Sequence, residues 1–297
     1  MLIFAIEDYE ELARELGQPL GTIDRDRFPD GEHYLRIAEE VNDRDVVLVG
    51  GTTSDAVTLE LYDLASTIVE NGAATLTLIA PWFGYSTMER AVKPGEAVMA
   101  KNRARMLSSI PRAKLGNQIV MLDLHSEGIP HYFEGTIRPF HAYAKPVIVQ
   151  LARDLAGDRF VLGSTDAGRA KWVESLANDL GVPAAFVYKR RLSGERTEVT
   201  AVSTQLSGET VVIYDDMIRT GSSLLNAARA YREAGAGKLI AIATHAVFPE
   251  GALERIQSSG LFSAIGVTNS HRNARGLTGQ GVEVRSVAHL FLPYVRM

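Results

Sequence analysis

Short apolar runs rich in Val and Ile alternate with amphipathic stretches along the whole chain, and this alternation limits the fold more than any other feature. The runs are "LIFAI", "DVVLVGG", "ATLTLIAPWFGY", "QIVMLDLH", "RFVLGSTD", "AAFVYKRR", "TVVIYDD", "KLIAIATHAVF" and "FSAIGVTNS". Most lack polar alternation, which predicts strands covered on both faces. Between them lie "DAVTLELYDLASTIVENGA", "AKNRARMLSSI", "AKPVIVQLARDL", "RAKWVESLANDLG", "SSLLNAARAYREAGAG" and "PEGALERIQSSG". These read as helices, and several stop at a Gly after the last apolar position. Strand followed by helix, repeated, predicts an α/β protein with mainly parallel sheets flanked by helices.

The two halves also share a layout. "DRDVVLVGGTTSDAVTLELYDLASTIVENGA" and "GETVVIYDDMIRTGSSLLNAARAYREAGA" each run from an acidic lead-in through a Val-rich strand and a small-residue loop to a helix closing near Gly-Ala. Two related units are expected, residues 1–144 and 145–297. The last strand-like piece, "VEVRSVAHLFLPYV", can return to either unit, so the last ~15 residues are free to pack on the N-terminal one.

Composition narrows the partners. The chain has no cysteine, which excludes disulfides and thiol chemistry and fits a reducing cytoplasm. A net charge of −5 gives no footing for nucleic-acid binding. No stretch approaches the ~18 apolar residues of a membrane span. The start "MLIFAIEDYEELARELG" carries acids early and reads as strand and helix, not as a signal peptide.

The stretch "TVVIYDDMIRTGSS", residues 210–223, is the densest candidate site. Ligands of open parallel sheets sit beyond the carboxyl ends of strands, and Asp215 and Asp216 are expected there. Arg219, Thr220, Gly221, Ser222 and Ser223 lead straight into a helix, whose N-terminal N–H groups and dipole suit a phosphate. Carboxylates beside a phosphate cradle suit the vicinal hydroxyls of a sugar. The bland reading makes Asp215 a turn cap and Ser222 a helix cap.

This stretch resembles the phosphoribosyl-pyrophosphate motif shared by type I phosphoribosyltransferases and ribose-phosphate diphosphokinases. Further segments resemble the diphosphokinases: "DRFPDGEHYLRI", "APWFGYSTMER", "MLDLHSEGIPHYF", "GSTDAGRAKWVESLANDLGVP" and "VYKRRLSGE". They follow the family's order from about residue 25 to residue 225. The resemblance implies two phosphoribosyltransferase-like domains, the first binding nucleotide and the second ribose phosphate. It implies transfer of the diphosphoryl group of ATP to the C1 hydroxyl of ribose 5-phosphate, with Mg²⁺, in a homo-oligomer, a dimer or a hexamer. By the same resemblance Phe28, Asp30, Glu32, Glu89, Arg90 and His125 serve the nucleotide. His125 and Asp166 serve the metal, His125 directly or through water or phosphate. Lys189 and Arg191 carry the catalysis by meeting the transferring group. Asp215, Asp216 and residues 219–223 hold the sugar phosphate. The polar segment after Arg191 reads as a flap over the phosphates.

Read without the family, each of these has an ordinary role. "FPDGE" is a type I turn, with Pro second and Gly fourth. Asp166 is a turn residue, and Lys189-Arg190-Arg191 is a solvated strand end. The chain also departs from the family pattern. Thr87-Met88-Glu89 stands where Arg-Gln-Asp is usual, which removes a cation from the nucleotide loop. Arg219 replaces an Asp, and Ser222-Ser223 replace Gly-Thr. These departures leave room for a non-catalytic regulatory relative that binds sugar phosphate or an active subunit.

Overall fold

The computed structural model describes residues 1–295 apart from 167, 169, 194 and 195, and for residues 189–201 it describes the backbone alone. The chain divides into two compact units, Met1–Tyr143 with Val287–Met297, and Ala144–Ser286.

The first unit runs β1 (Leu2–Ala5), α1 (Glu10–Arg14), β2 (Ile23–Arg27), β3 (His33–Ile37), β4 (Asp45–Val49), α2 (Asp55–Glu70), β5 (Thr75–Ala80), α3 (Met99–Ser108), β6 (Gly116–Leu122) and β7 (Arg138–Ala142). Its sheet has the order β1-β4-β5-β6-β7, parallel throughout. The apolar runs form its centre because helices cover both faces. Val46, Val47, Leu48 and Val49 are each at most 2% exposed. Helix α2 lays Leu61, Leu64, Ala65, Ile68 and Val69 on that sheet at helical spacing. Truncating Leu64 to Ala would cost about 2–5 kcal/mol, the usual range for a fully buried Leu.

Three strands escaped the sequence reading. Strands β2 and β3 form a separate antiparallel hairpin, paired from Ile23↔Ile37 to Arg27↔His33. Half of their residues are charged and most are exposed, so no apolar signal marked them. Strand β7 contains Pro139 and lies at the sheet edge, where a missing N–H is tolerated.

The second unit runs α4 (Lys145–Ala156), β8 (Val161–Ser164), α5 (Ala170–Leu180), β9 (Ala184–Ala185), β10 (Val187–Ser193), β11 (Arg196–Val202), β12 (Thr210–Ile218), α6 (Ser222–Glu233), β13 (Lys238–Ala246), α7 (Ala252–Ser258), β14 (Ala264–Thr268) and β15 (Val282–Arg285). Its parallel sheet has the order β15-β14-β13-β12-β8-β9. The run "AAFVYKRR" is not one strand. It leaves the sheet after Ala185 and enters the antiparallel ribbon β10–β11, so Lys189 and Arg191 lie within a ribbon and not at a strand end. The segment read as a flap supplies β11.

The closing segment divides. Strand β15 stays in the second sheet, and the chain from Val287 joins the first unit, where α8 (Leu292–Val295) packs. There Gln118 Nε2 donates to the Tyr294 carbonyl at 3.1 Å, and the Phe140 and Tyr294 rings lie 5.6 Å apart.

Candidate active site

Strand β12 outruns its neighbour. It pairs with β8 only as far as Tyr214↔Ser164, yet continues beside β13 to Ile218↔Ala246. Asp215 and Asp216 therefore lie inside the strand and not beyond it, a correction to the sequence expectation. They lie past the end of β8 alone. Adjacent strand residues face opposite sides of the sheet, which relieves the repulsion between two neighbouring acids. Asp215 is half-buried and accepts from Thr165 Oγ1 at 2.8 Å and from the Asp216 amide at 2.9 Å. Asp216 is 2% exposed.

Arg219 and Thr220 are exposed, and Gly221 caps helix α6 at φ 78°. That φ favours glycine, and a Cβ here would stand 2.6 Å from Ile256. No side chain caps the helix. The Ser222 and Ser223 side chains are exposed, with Thr220 Oγ1 and Ser222 Oγ 3.2 Å apart. The helix end thus presents backbone N–H groups and hydroxyls outward, as an anion site requires.

Buried Tyr231 fixes where this helix points. Its hydroxyl lies 3.0 Å from the Ser164 carbonyl and 2.9 Å from that of Ala185. Burial pushes its phenol above the ordinary range, so it stays a neutral donor. Gly163 is required beneath it, since a Cβ there would come within 2.8 Å of the Tyr231 ring. On the other side Trp172 stacks on Tyr214 at 4.0 Å. Neither Tyr231 nor Thr165 was legible as a site residue, because both act through partners distant in sequence.

Asp166 follows Thr165 and is half-buried, with Oδ1 accepting from the Gly168 amide at 2.9 Å. Lys189↔Val199, Arg190↔Glu198 and Arg191↔Thr197 pair without a break, so positions 189 and 191 share a face of the ribbon. The side chains of Lys189 and Arg191 lie outside the described residues.

In the first unit the β2–β3 hairpin is held by Arg25, which bonds Glu60 and the Ala5 carbonyl, each at 2.9 Å. Its tip closes with Gly31 N to Phe28 O at 2.8 Å and Phe28 N to Glu32 O at 2.9 Å. Phe28 is 51% exposed and meets Tyr34 edge-on at 6.3 Å. Asp30 Oδ1 accepts from the Glu32 amide at 3.1 Å, and both residues are exposed.

The loop after β5 is tightly anchored. Gly84 N donates to Thr52 Oγ1 at 2.6 Å, and a Cβ at Gly84 would stand 2.2 Å from the Thr52 carbonyl. Tyr85 takes φ 59°, uncommon for a bulky residue. Glu89 is half-buried and its carbonyl accepts from Tyr132 Oη at 2.6 Å. Arg90 is exposed and 3.6 Å from Glu89, an ion pair of little weight. After β6, buried Asp123 turns at φ 38°, and the exposed His125 follows. Leu124 N donates to His141 Nε2 at 2.9 Å and fixes that turn.

The profile described as the N-terminal domain of ribose phosphate pyrophosphokinase matches residues 1–110, and the phosphoribosyl transferase domain profile matches residues 146–259. A ribose-phosphate pyrophosphokinase of Synechococcus elongatus is 34% identical over 266 residues, covering 88% of this chain and 78% of that one. One of Saccharolobus solfataricus is 31% identical over 272 residues, covering 90% and 91%. The crystal structure of phosphoribosylpyrophosphate synthetase from Mycobacterium smegmatis superposes with a TM-score of 0.82 at 25% identity, over 99% of this chain and 97% of that one. The chain belongs to the ribose-phosphate pyrophosphokinase family.

For a ribose-phosphate pyrophosphokinase the donor set has to be compatible with a metal. Among the described residues no three His, Cys, Asp or Glu side chains converge on a point that could hold one. Mg²⁺ needs no such cage, since it keeps several waters and takes one or two carboxylates plus substrate phosphates. Asp166, a hard oxygen donor in the loop that also supplies Thr165 to Asp215, fits that mode of binding. No helix among the described residues is long and apolar enough to cross a membrane.

Proposed function

We propose that the protein transfers the diphosphoryl group of ATP to ribose 5-phosphate, giving 5-phosphoribosyl 1-diphosphate and AMP. The observation that carries this reading is the uncapped α6 terminus at Gly221, which follows the strand that carries Asp215 and Asp216, in a chain of the ribose-phosphate pyrophosphokinase family. The 5-phosphate sits on the N–H groups and hydroxyls of residues 219–223, with Arg219 adding charge. Asp215 and Asp216 serve the ribose, Asp215 by accepting from hydroxyls and Asp216 by holding the strand end from its buried position.

The ribose C1 oxygen attacks the β-phosphorus. The bond from that phosphorus to the α,β-bridging oxygen breaks, AMP leaves, and the hydroxyl proton passes to solvent. Such a transfer calls for positioning and charge neutralisation more than for covalent help. Lys189 and Arg191 neutralise the transferring group. Phe28, Asp30, Glu32, Glu89, Arg90 and His125 serve the nucleotide, Phe28 by packing the base. Asp166 and His125 are the residues that would hold a Mg²⁺, His125 directly or through water or phosphate, and the ion would supply charge neutralisation to the transferring group. The exposed hairpin tip suits a site completed by a second copy, consistent with a homo-oligomer, a dimer or hexamer, working in the cytoplasm.

The test is a product assay. With ribose 5-phosphate, ATP and Mg²⁺ the purified protein should release AMP, and Lys189→Ala should cost about 10²-fold or more in turnover, the range for loss of a transition-state charge contact. ADP in place of AMP would refute the reaction. Ribose 5-phosphate binding without turnover would favour the regulatory reading.

A further inference from the structure

We propose that Arg103, Asp55 and Tyr85 form a strut that sets the nucleotide loop, residues 81–90, and that Arg103 and Asp55 are positioning residues for ATP. This rests on the reading of that loop as the nucleotide side of the site.

Tyr85 is the pivot. Its left-handed backbone is sustained only by its surroundings. The phenol donates to Asp55 Oδ1 at 2.9 Å, and Arg103 Nη2 donates to the same oxygen at 2.6 Å. The guanidinium carbon lies 5.0 Å from the centre of the Tyr85 ring, within cation–π range. Three elements therefore meet on one side chain: the start of α2 through Asp55, α3 through Arg103, and the loop through Tyr85. Arg103, and after it Tyr85, hold the Asp55 carboxyl below the usual carboxylate range, so it is charged at any neutral pH.

The pose of Tyr85 passes down the loop. Met88 N donates to the Tyr85 carbonyl at 2.8 Å, and Ala100 N of α3 donates to the Met88 carbonyl at 3.3 Å. Glu89 and Arg90 come next and are the only charged side chains in residues 81–90. With Thr87 uncharged, nucleotide contacts from this loop depend on where its backbone holds those two.

Stability alone does not account for the strut. Arg103 Nε is buried without a hydrogen-bond partner, a burden the fold carries to place the guanidinium there. The Asp55 side chain is 63% exposed. Removing Arg103 would leave a solvated carboxylate and abolish an orphaned donor, so the stability change should be small.

Arg103→Met, Asp55→Asn and Tyr85→Phe are compared with wild type for turnover, both KM values and Tm. Arg103→Met and Asp55→Asn should raise the KM for ATP about tenfold, the lower end for loss of a hydrogen bond to a charged group. Tyr85→Phe should raise it less. The KM for ribose 5-phosphate and Tm should hold, and the Asp55→Asn/Arg103→Met double variant should be no worse than either single one. An unchanged ATP KM in all three would overturn the strut, as would both KM values rising together with a falling Tm. If wild type makes no AMP, the proposed reaction fails and calorimetric ATP affinity decides the strut by the same tenfold criterion. Absence of ATP binding by wild type would overturn the strut as well.

Discussion

The two units build the same strand, small-residue loop and helix, and they begin the helix in opposite ways. In the first unit the α2 terminus is closed by its own chain. Ser54 Oγ caps it by accepting from the Val57 amide at 3.2 Å, and Asp55 in its first turn is committed to Arg103 and Tyr85. In the second unit Gly221 stands at the cap with no side-chain bond, and the neighbouring serines face outward. A helix terminus leaves four N–H groups to satisfy, and a fold either fills them or reserves them for something else. The contrast teaches that a shared layout does not mean a shared site. The half whose helix start stays open is the one we propose for the phosphate.

The sharpest way to break this contrast is Gly221→Ala. The added Cβ would meet Ile256 at 2.6 Å with φ at 78°. Strain of this kind costs about 1–3 kcal/mol. If relief comes by moving the loop, the KM for ribose 5-phosphate should rise about tenfold to a hundredfold, the equivalent of that energy. The KM for ATP should stay. A ribose 5-phosphate KM unmoved by the substitution would mean that the phosphate binds elsewhere.

The next effect compares buried histidines. In the first unit His141 is half-buried and accepts from Leu124 N. In the second, His271 is 5% exposed, and its Nδ1 accepts from Asn273 N at 3.1 Å. Burial first, then the neighbouring His245 and Arg272, pushes His271 down to about 3. Its folded pKa lies below the unfolded value, so the unfolded chain binds the extra proton between roughly pH 6.5 and pH 3. Stability from this group is complete above pH 6.5 and falls as pH falls. Wild type should lose about 2 kcal/mol between pH 7.5 and pH 5 from this residue alone. Denaturant titrations at the two pH values should show His271→Gln losing correspondingly less. Equal losses would remove His271 as the source.

Much of the fold was visible in the sequence, and the reasons are physical. The buried strands read correctly because a sheet covered on both faces needs unbroken apolar runs such as "DVVLV" and "KLIAI". "DDMIRTGSS" stood out as a strand-to-helix loop because all of its parts are local. The β2–β3 hairpin was not, since exposed charged residues carry no burial pattern. Arg103 and Asp55 meet from 48 residues apart, and Tyr231 reaches Ser164 across 67. Nothing local marks such partners. The placement of Asp215 and Asp216 inside β12 depends on how far β8 extends beside them, which is a property of the sheet and not of either segment.

The smallest effect tests the closed half of the pair. Ser54→Ala removes the hydroxyl that caps α2, and an N-cap of this kind contributes about 1 kcal/mol. Val57 N is then left to water, which can reach it, since Ser54 is only half-buried. Thermal melts should show a modest fall in Tm. The KM for ribose 5-phosphate should not change, because Ser54 Oγ caps this terminus and Asp55 in its first turn is bonded to Arg103 and Tyr85. A ribose 5-phosphate KM that rose with Ser54→Ala as it does with Gly221→Ala would erase the distinction between a filled helix end and an open one.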